Sequence, residues 1–364
     1  MSSGAIGSGV IGSGVIGAGL IAERFSAQLL TGEPARTAEA VTGRLLAVQG
    51  QDPRGARLAL RARSAGLTAA DVDRALTADR SLLITWLNRG TLHLVRSEDY
   101  GWLQPLLAPR LVTANARRLA QEGVTPDDAD QAVAVIEQSL AAEGPLTRLQ
   151  LRDRIAAAGI PTDGQALVHE LMLACLRSVA VRGPMAGAQH AYVLARDWLG
   201  PPLPFDRDVA LAELARRFLA GHGPASDRDL AKWSGLPVGD ARRGLSSIAG
   251  QLAHRADGLV HLANLGDRGA GRRGAGLPPP RLLGPYDPLL HGWVSREPIL
   301  GPHRGIVTVN GLFRPFALVN GRAAATWGLA GGEVTLNWLE EVPAPARAAL
   351  DADAADVRRF LGLT

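Results

Sequence analysis

The sequence predicts an α+β fold that is mainly helical: three successive sets of three helices and a two-stranded hairpin, then a small β-rich module closed by a helix. Three observations predict it. Helical apolar spacing is interrupted by short alternating segments at similar intervals along the first two thirds of the chain. GPLTRLQLRDRIAAAGI and GPASDRDLAKWSGLP align as an internal repeat, each with Gly-Pro, a capping residue and an Arg/Asp-rich helix. Beyond residue 305, Asn310-Gly311 and Asn320-Gly321 sit between alternating apolar runs, the strongest short-range signal for hairpins.

The first twenty residues repeat Gly, Ser, Ile and Val. They lack a basic leader region and carry too many glycines for a membrane span, so residues 1–30 are expected to form a disordered low-complexity extension. A helical pattern from Thr37 to Val48 begins the first set, which takes residues 31–122. Gly50 and Pro53 interrupt it, and Pro53 suits the first turn of a second helix running to Ser64, where its missing N–H costs nothing. Thr68 caps a third helix with Asp71 and Asp73 in its first turns. SLLITWLNRGTLHLV then reads as a hairpin, or wing, with its turn at Asn88-Arg89-Gly90, and a helical connector follows to Gln121.

The second set (123–200) has helices at Asp127–Ala142, Arg148–Ala157 and Gln165–Leu176, with strands at 179–182 and 191–194. The third (201–264) has helices at Val209–Leu219, Asp227–Trp233 and Ala241–Ile248, with a short wing at 252–254 and 259–262. Residues 265–281, rich in Gly, Arg and Pro, read as a linker. The C-terminal module (282–364) has strands expected at 306–310, 314–320, 323–327 and 334–338 before a helix from Val342 to Phe360. Asp287, Trp293 and Arg296 are expected to tie this module to the rest through buried polar contacts.

The chain's 364 residues are ample for several cores, and the formal net charge is +4. Lys232 is the only lysine, so the positive charge sits almost wholly on planar guanidinium groups suited to phosphates and guanine edges. The single cysteine, Cys175, lies in an apolar helical run, which rules out an intrachain disulfide and fits the cytosol. No Cys/His cluster has metal-ligand spacing, and no cofactor is expected. No stretch is long and apolar enough to span a bilayer.

The chemistry-bearing stretch is RLLAVQGQDPRGARLALRAR, residues 44–63. Gln49 and Gln51 flank a glycine at a helix junction, beside a helix bearing Arg54, Arg57 and Arg61. By itself this is either a polar turn whose amides bond nearby backbone or a functional pair. Asp52 suits the cap of the helix at Pro53 better than a general base. Arg89, at the wing turn, is either a phosphate or groove contact or a solvated turn residue. His93 lies between two leucines, where a structural hydrogen bonder competes with a site contact. Phe313 and Arg314 follow the Asn-Gly turn, where they either probe a groove or, for Phe313, fill a core.

VQGQDPRGARLALRAR, TWLNRGTLHLV, the two Gly-Pro repeats, LLGPYDPLLHGW and NGLFRPFALVNGR together resemble the AlkZ-like family of winged-helix DNA glycosylases. The resemblance runs from about Arg44 to Trp327. It implies tandem winged helices forming a C-shaped cradle for duplex DNA, and a Gln-x-Gln catalytic signature that falls on Gln49 and Gln51. This chain has Gly50 where the family usually has an apolar residue. The family's better-known members remove N7-alkylated purines, and some unhook interstrand crosslinks formed by natural-product toxins and so protect the producing bacterium. A monomeric, nucleoid-associated protein acting on double-stranded DNA is the corresponding expectation, with Arg54, Arg57, Arg61, Arg89, His93, Phe313 and Arg314 as its DNA contacts.

Two glutamines suit that chemistry. A carboxamide does not titrate, so it cannot act as a general base, but its carbonyl can hold a water and steady positive charge. That suffices where the leaving group is already cationic, as an N7-alkylpurine is, and it argues against uracil or undamaged bases. With one internal lysine, beside Trp233, a monofunctional enzyme without lyase activity is expected. The competing reading is a non-catalytic winged-helix DNA-binding protein or transcription regulator. Against it stand the position of the glutamines between helices and the lack of an obvious basic recognition helix.

Overall fold

The computed structural model describes residues 10–363, except 188, 203 and 264–275. It opens with a helix, α1 (Val10–Ala27), where an extension without structure was expected. Residues 24–30 are integral to the fold. Phe25 and Leu30 are buried, the Arg24 guanidinium lies 4.5 Å from the centre of the Trp293 ring, and Gln28 Oε1 accepts from Arg63 Nη2 at 2.9 Å. The glycine-rich repeat hides the amphiphilic segment that follows it; residues 1–9 lie outside the described part.

The first set comprises α2 (Ala38–Leu45), a two-residue strand β1 (Val48–Gln49), α3 (Pro53–Arg61), α4 (Ala69–Thr77), and the hairpin β2 (Leu82–Leu87) and β3 (Thr91–Arg96). Thr37 caps α2, Asp52 caps α3, and Thr68 with Asp71 forms a capping box on α4, so each helix start is written in its own sequence. The 25-residue α5 (Ser97–Gln121) leads to the second set: α6 (Pro126–Glu143), α7 (Arg148–Ala157), α8 (Ala166–Leu176), β4 (Ala180–Ala186) and β5 (Gln189–Leu194). After the short α9 (Ala195–Leu199) come α10 (Arg207–His222), α11 (Asp227–Ser234), α12 (Val238–Ser247), β6 (Leu252–His254) and β7 (Val260–Leu262). The Gly-Pro repeat is a structural repeat. In one copy Leu146 bridges to Tyr192 on the wing and Thr147 caps α7; in the other Ala225 bridges to Val260 and Ser226 caps α11.

The C-terminal module holds β8 (Arg281–Leu283), α13 (Glu297–Leu300), β9 (Phe316–Val319), β10 (Arg322–Ala330), β11 (Glu333–Trp338) and α14 (Ala344–Leu361). Its sheet runs β11-β10-β9-β8, all antiparallel. Two expectations change here. Arg281 opens a strand rather than closing a linker, while 265–275 of that expected linker lie outside the described residues. Residues 306–310 form no regular strand: a 3-10 turn ends at Ile306, and only Val307 bridges to Phe313.

The first two wings do not stand apart. They share one sheet in the order β1-β3-β2-β4-β5, with Ile84 paired to Arg182. Three buried apolar clusters fill the fold. One joins α3, α4 and the C-terminal module through Leu58, Leu282 and Phe360; one fills the second set; the largest packs α1, α10 and α11 against the rest through Phe25, Phe218 and Trp233. No helix among the described residues is long and apolar enough to cross a membrane.

Candidate active site

Gln49 and Gln51 sit at the edge of the shared sheet, not in a free turn. Leu46, at φ 66°, ends α2 and redirects the chain, so Val48 and Gln49 become a strand beside β3. Gln49 pairs with His93 and Val48 with Leu94, and Gly50 N donates to Leu92 O at 2.7 Å. The backbone of the first glutamine is thereby held by a full sheet. Gln49 is 7% exposed, while Gln51 lies on the surface. Gln49 Nε2 donates to Gln51 Oε1, and Gln49 Oε1 is buried without a hydrogen-bond partner. The pair thus offers one unspent, rigidly mounted carbonyl. An ideal Cβ on Gly50 would lie 3.5 Å from the nearest atom, Leu94 N, so a methyl fits there.

Asp52 is committed elsewhere: its Oδ1 accepts from Gly55 N at 2.6 Å as the cap of α3. His93 is 3% exposed. Its Nδ1 donates to Thr91 O at 2.9 Å, which fixes the tautomer and leaves Nε2 as the acceptor facing Asn88 Nδ2 at 3.4 Å. Burial, with Arg89 next, pushes the His93 pKa down to about 3, so the ring is neutral at physiological pH. A buried, neutral, internally bonded histidine positions the sheet edge behind Gln49 and is not a phosphate contact; the expected direct DNA contact is corrected accordingly.

Two of the arginines assigned to DNA are structural. Arg57, 8% exposed, bonds Asp73 and Pro53 O. Arg61, 3% exposed, bonds Asp353, Asp356 and Leu282 O and so anchors α14 and β8 to α3. The carboxylates that hold Arg61 come from the far end of the chain and Asp73 from the next helix, so neither arginine reads as paired within its own helix. Arg54 is exposed and makes no side-chain hydrogen bond or ion pair with the described residues. Arg89 is exposed at the wing turn, where Nη1 donates to Trp233 O at 2.7 Å. Arg314 is exposed, and Phe313 is half-buried.

Phe313 belongs to an aromatic wall that sequence reasoning did not single out. Its ring centre lies 4.2 Å from that of His291 and 5.5 Å from that of Tyr286, and the Arg296 guanidinium carbon lies 5.0 Å from it. Pro285 O would stand 2.5 Å from a Cβ on Gly55, so the Pro285-Tyr286 backbone rests against the first turn of α3, directly after Gln51. Tyr286 adopts φ 57°, a left-handed conformation that a bulky residue holds only when its surroundings impose it. Its hydroxyl pKa is raised by burial and by the Asp52 charge. Burial, then the charges of Arg89, Arg296 and Lys232, hold His291 well below the usual histidine range. The only forewarning of this wall was LLGPYDPLLHGW, a motif whose Gly-Pro and Asp-Pro steps mark an irregular, constrained segment.

Of the residues expected to tie the C-terminal module down, Asp287 and Trp293 do so. Arg63 and Asp287 form a fully buried ion pair at 2.7 Å, and Trp293 Nε1 donates to His222 O at 2.9 Å. Arg296 does not; its Nε donates to Leu290 O within its own segment. No three His, Cys, Asp or Glu side chains among the described residues gather as a metal site.

A sequence model of the DNA glycosylase AlkZ-like family matches residues 42–360. The chain is 27% identical to the interstrand DNA cross-link repair glycosylase of Streptomyces sahachiroi, over 94% of this chain and 96% of that protein. It resembles the solved structure of Streptomyces sahachiroi DNA glycosylase AlkZ with a TM-score of 0.77 at 25% identity, covering 95% of this chain and 96% of that one.

Proposed function

The chain belongs to the AlkZ-like DNA glycosylase family, and from that premise we propose that it hydrolyses the N-glycosidic bond of bulky, cationic N7-alkylpurines in duplex DNA, with Gln49 and Gln51 as its catalytic pair. The observation that carries this reading is the buried, unpartnered Gln49 Oε1, set on a sheet-paired strand and turned by its hydrogen bond to Gln51. Once substrate binding opens the pair, such a carbonyl holds a water near the anomeric carbon and steadies the oxocarbenium-like sugar. No nearby acid is required, because an N7-alkylated purine leaves as a neutral base. Asp52, spent on the α3 cap, and His93, neutral and internally bonded, are consistent with a site that does no proton transfer to the leaving group. Tyr286, half-buried beside α3, supplies a π face for a cationic purine.

The three helix-hairpin sets are read as winged helices that cradle the duplex. Gln51 is exposed, which suits a nucleotide that stays near the helix, as a crosslinked base must. The name of the Streptomyces relative supports extending the substrates to interstrand crosslinks, in a repair or self-protection role. Lys232 Nζ donates to Val294 O at 2.8 Å and is held there, so no lyase step is assigned to it.

The test is a substrate series on one duplex sequence: a single N7-alkylguanine, uracil or undamaged guanine. Release of the cationic base alone, with no strand cleavage until alkali is added, is expected. Release of uracil at a comparable rate, or direct strand scission, would overturn the reading.

A further inference from the structure

Three cations from three distant segments converge on the rim of the aromatic wall. Arg89 comes from the first wing turn, Lys232 from α11 and Arg296 from the segment before α13. Each is positioned by backbone carbonyls. Arg89 Nη1 donates to Trp233 O at 2.7 Å and to Lys232 O at 3.3 Å. Lys232 Nζ donates to Val294 O at 2.8 Å, and Arg296 Nε to Leu290 O at 2.7 Å. The turn and α11 are in close contact, since a Cβ on Gly235 would lie 2.9 Å from Asn88 O. None of the three is in an ion pair with a described carboxylate. Glu297, which follows Arg296 in the chain, is exposed and forms no ion pair with it, and Asp229, three residues before Lys232, spends its oxygens on Ser226 and on Val294 N.

The cluster borders the candidate site by two routes. Asn88, next to Arg89, bonds His93, which pairs with Gln49. Arg296 lies over Phe313, whose ring meets that of His291 at a tilt. After burial, the charges of Arg296 and Arg89 lower the pKa of Lys232, and the single Asp229 charge opposes them. Cations that outnumber the nearby acids repel one another unless an anion joins them.

We propose that Arg89, Lys232 and Arg296 form a subsite for one backbone phosphate of the duplex, next to the nucleotide presented to Gln49 and Gln51. This rests on the glycosylase reading above and adds a register to it. Carbonyl tethers fix the side chains in advance, and the remaining N–H groups meet the phosphodiester oxygens. The three contributing segments come from the first set, the third set and the C-terminal module, so bound phosphate locks those parts in one arrangement.

The experiment measures affinity of the full-length protein for an intact duplex as KCl is varied, and then for duplexes in which one phosphate at a time is a neutral methylphosphonate. Wild type, Lys232→Gln and Arg296→Gln are compared, each with its melting temperature. Removing one of the three cations should flatten the log–log salt slope by less than the roughly 0.9 of a whole phosphate contact, since two cations still face that phosphate. One methylphosphonate position, or two adjacent ones, should weaken wild type about 5- to 10-fold and a folded Lys232→Gln by a smaller factor. Methylphosphonate penalties identical at every position in wild type and a folded Lys232→Gln would overturn the subsite while leaving the glycosylase reading intact. Should Arg296→Gln fail to fold, the Lys232→Gln comparison still decides the matter. Wild type with no salt-dependent affinity for the duplex would overturn both.

Discussion

Arg54 and Arg61 stand two helical turns apart on α3 and have opposite fates. Arg61 is 3% exposed and ties α3 to Asp353, Asp356 and Leu282, whereas Arg54 is exposed. Arg61→Ala leaves the partly buried Asp353 carboxylate and the Leu282 carbonyl without their donor and should cost about 2–4 kcal/mol in urea unfolding, with little change in the DNA salt slope of the folded fraction. Arg54→Ala should do the reverse: unchanged stability and a slope flatter by roughly 0.9. Glu170 is a second residue-scale case. It is fully buried with both carboxylate oxygens unpartnered, and burial, with the Asp128 charge, raises its pKa to about 7. A pKa raised on folding contributes stability below the unfolded value near 4.5, and that stability is lost as pH rises through about 7. Glu170→Gln keeps the neutral form, so it should stabilise by ~1–3 kcal/mol at pH 8 and have little effect at pH 4.5. Equal effects at both pH values would contradict this. The histidines act in the opposite sense. Burial depresses His93 and His222 to about 3 and His190 to about 4, so the stability they confer is present above the ordinary value of 6.5 and is lost as pH falls from there.

At the level of elements, helix starts were the most legible feature because capping is local: Thr68, Thr147 and Ser226 each carry their partner three residues on. The wings were legible from alternation and the Asn-Arg-Gly turn. What was not legible depended on distant partners. Val48 and Gln49 are a strand only because β3, more than forty residues later, is there to pair with. The inward turn of Arg57 and Arg61 depends on Asp73, Asp353 and Asp356 in the same way. The Gln49–Gln51 pair could therefore be picked out by residue type, while its mounting and its aromatic wall could not. The seat of α3 against Pro285 gives an element-scale prediction. Gly55→Ala puts a Cβ 2.5 Å from Pro285 O, which must move the wall or the helix. A loss of about 1–3 kcal/mol and a slower base release are expected, as for overpacked contacts generally. Gly50→Ala, with its nearest neighbour at 3.5 Å, should fold normally. Wild-type stability in Gly55→Ala would contradict the close packing.

Across the whole molecule, chain ends close the structure around the site. α1 carries Arg24 onto Trp293 and leads to Gln28, which supports Arg63 in its buried pair with Asp287. α14 fixes Arg61 from the other end. The LLGPYDP segment, and with it Tyr286, is thus held between the two termini. Deletion through residue 30 should lower the melting temperature and base release together; an unchanged melt would show that the N-terminal segment is dispensable. The resemblance noted in the sequence runs from about Arg44 to Trp327 and the family match from residue 42 to 360, so α1 lies outside both.

The most direct test of the central claim is single-turnover release of N7-alkylguanine from duplex DNA by wild type and by Gln49→Ala, with duplex affinity and melting temperature measured on the same samples. Release should fall by at least about 100-fold in the variant, in keeping with loss of one preorganised polar group at a reacting centre, while affinity and stability stay near wild type. Undiminished release, or a loss that tracks affinity or unfolding, would contradict a catalytic role for Gln49.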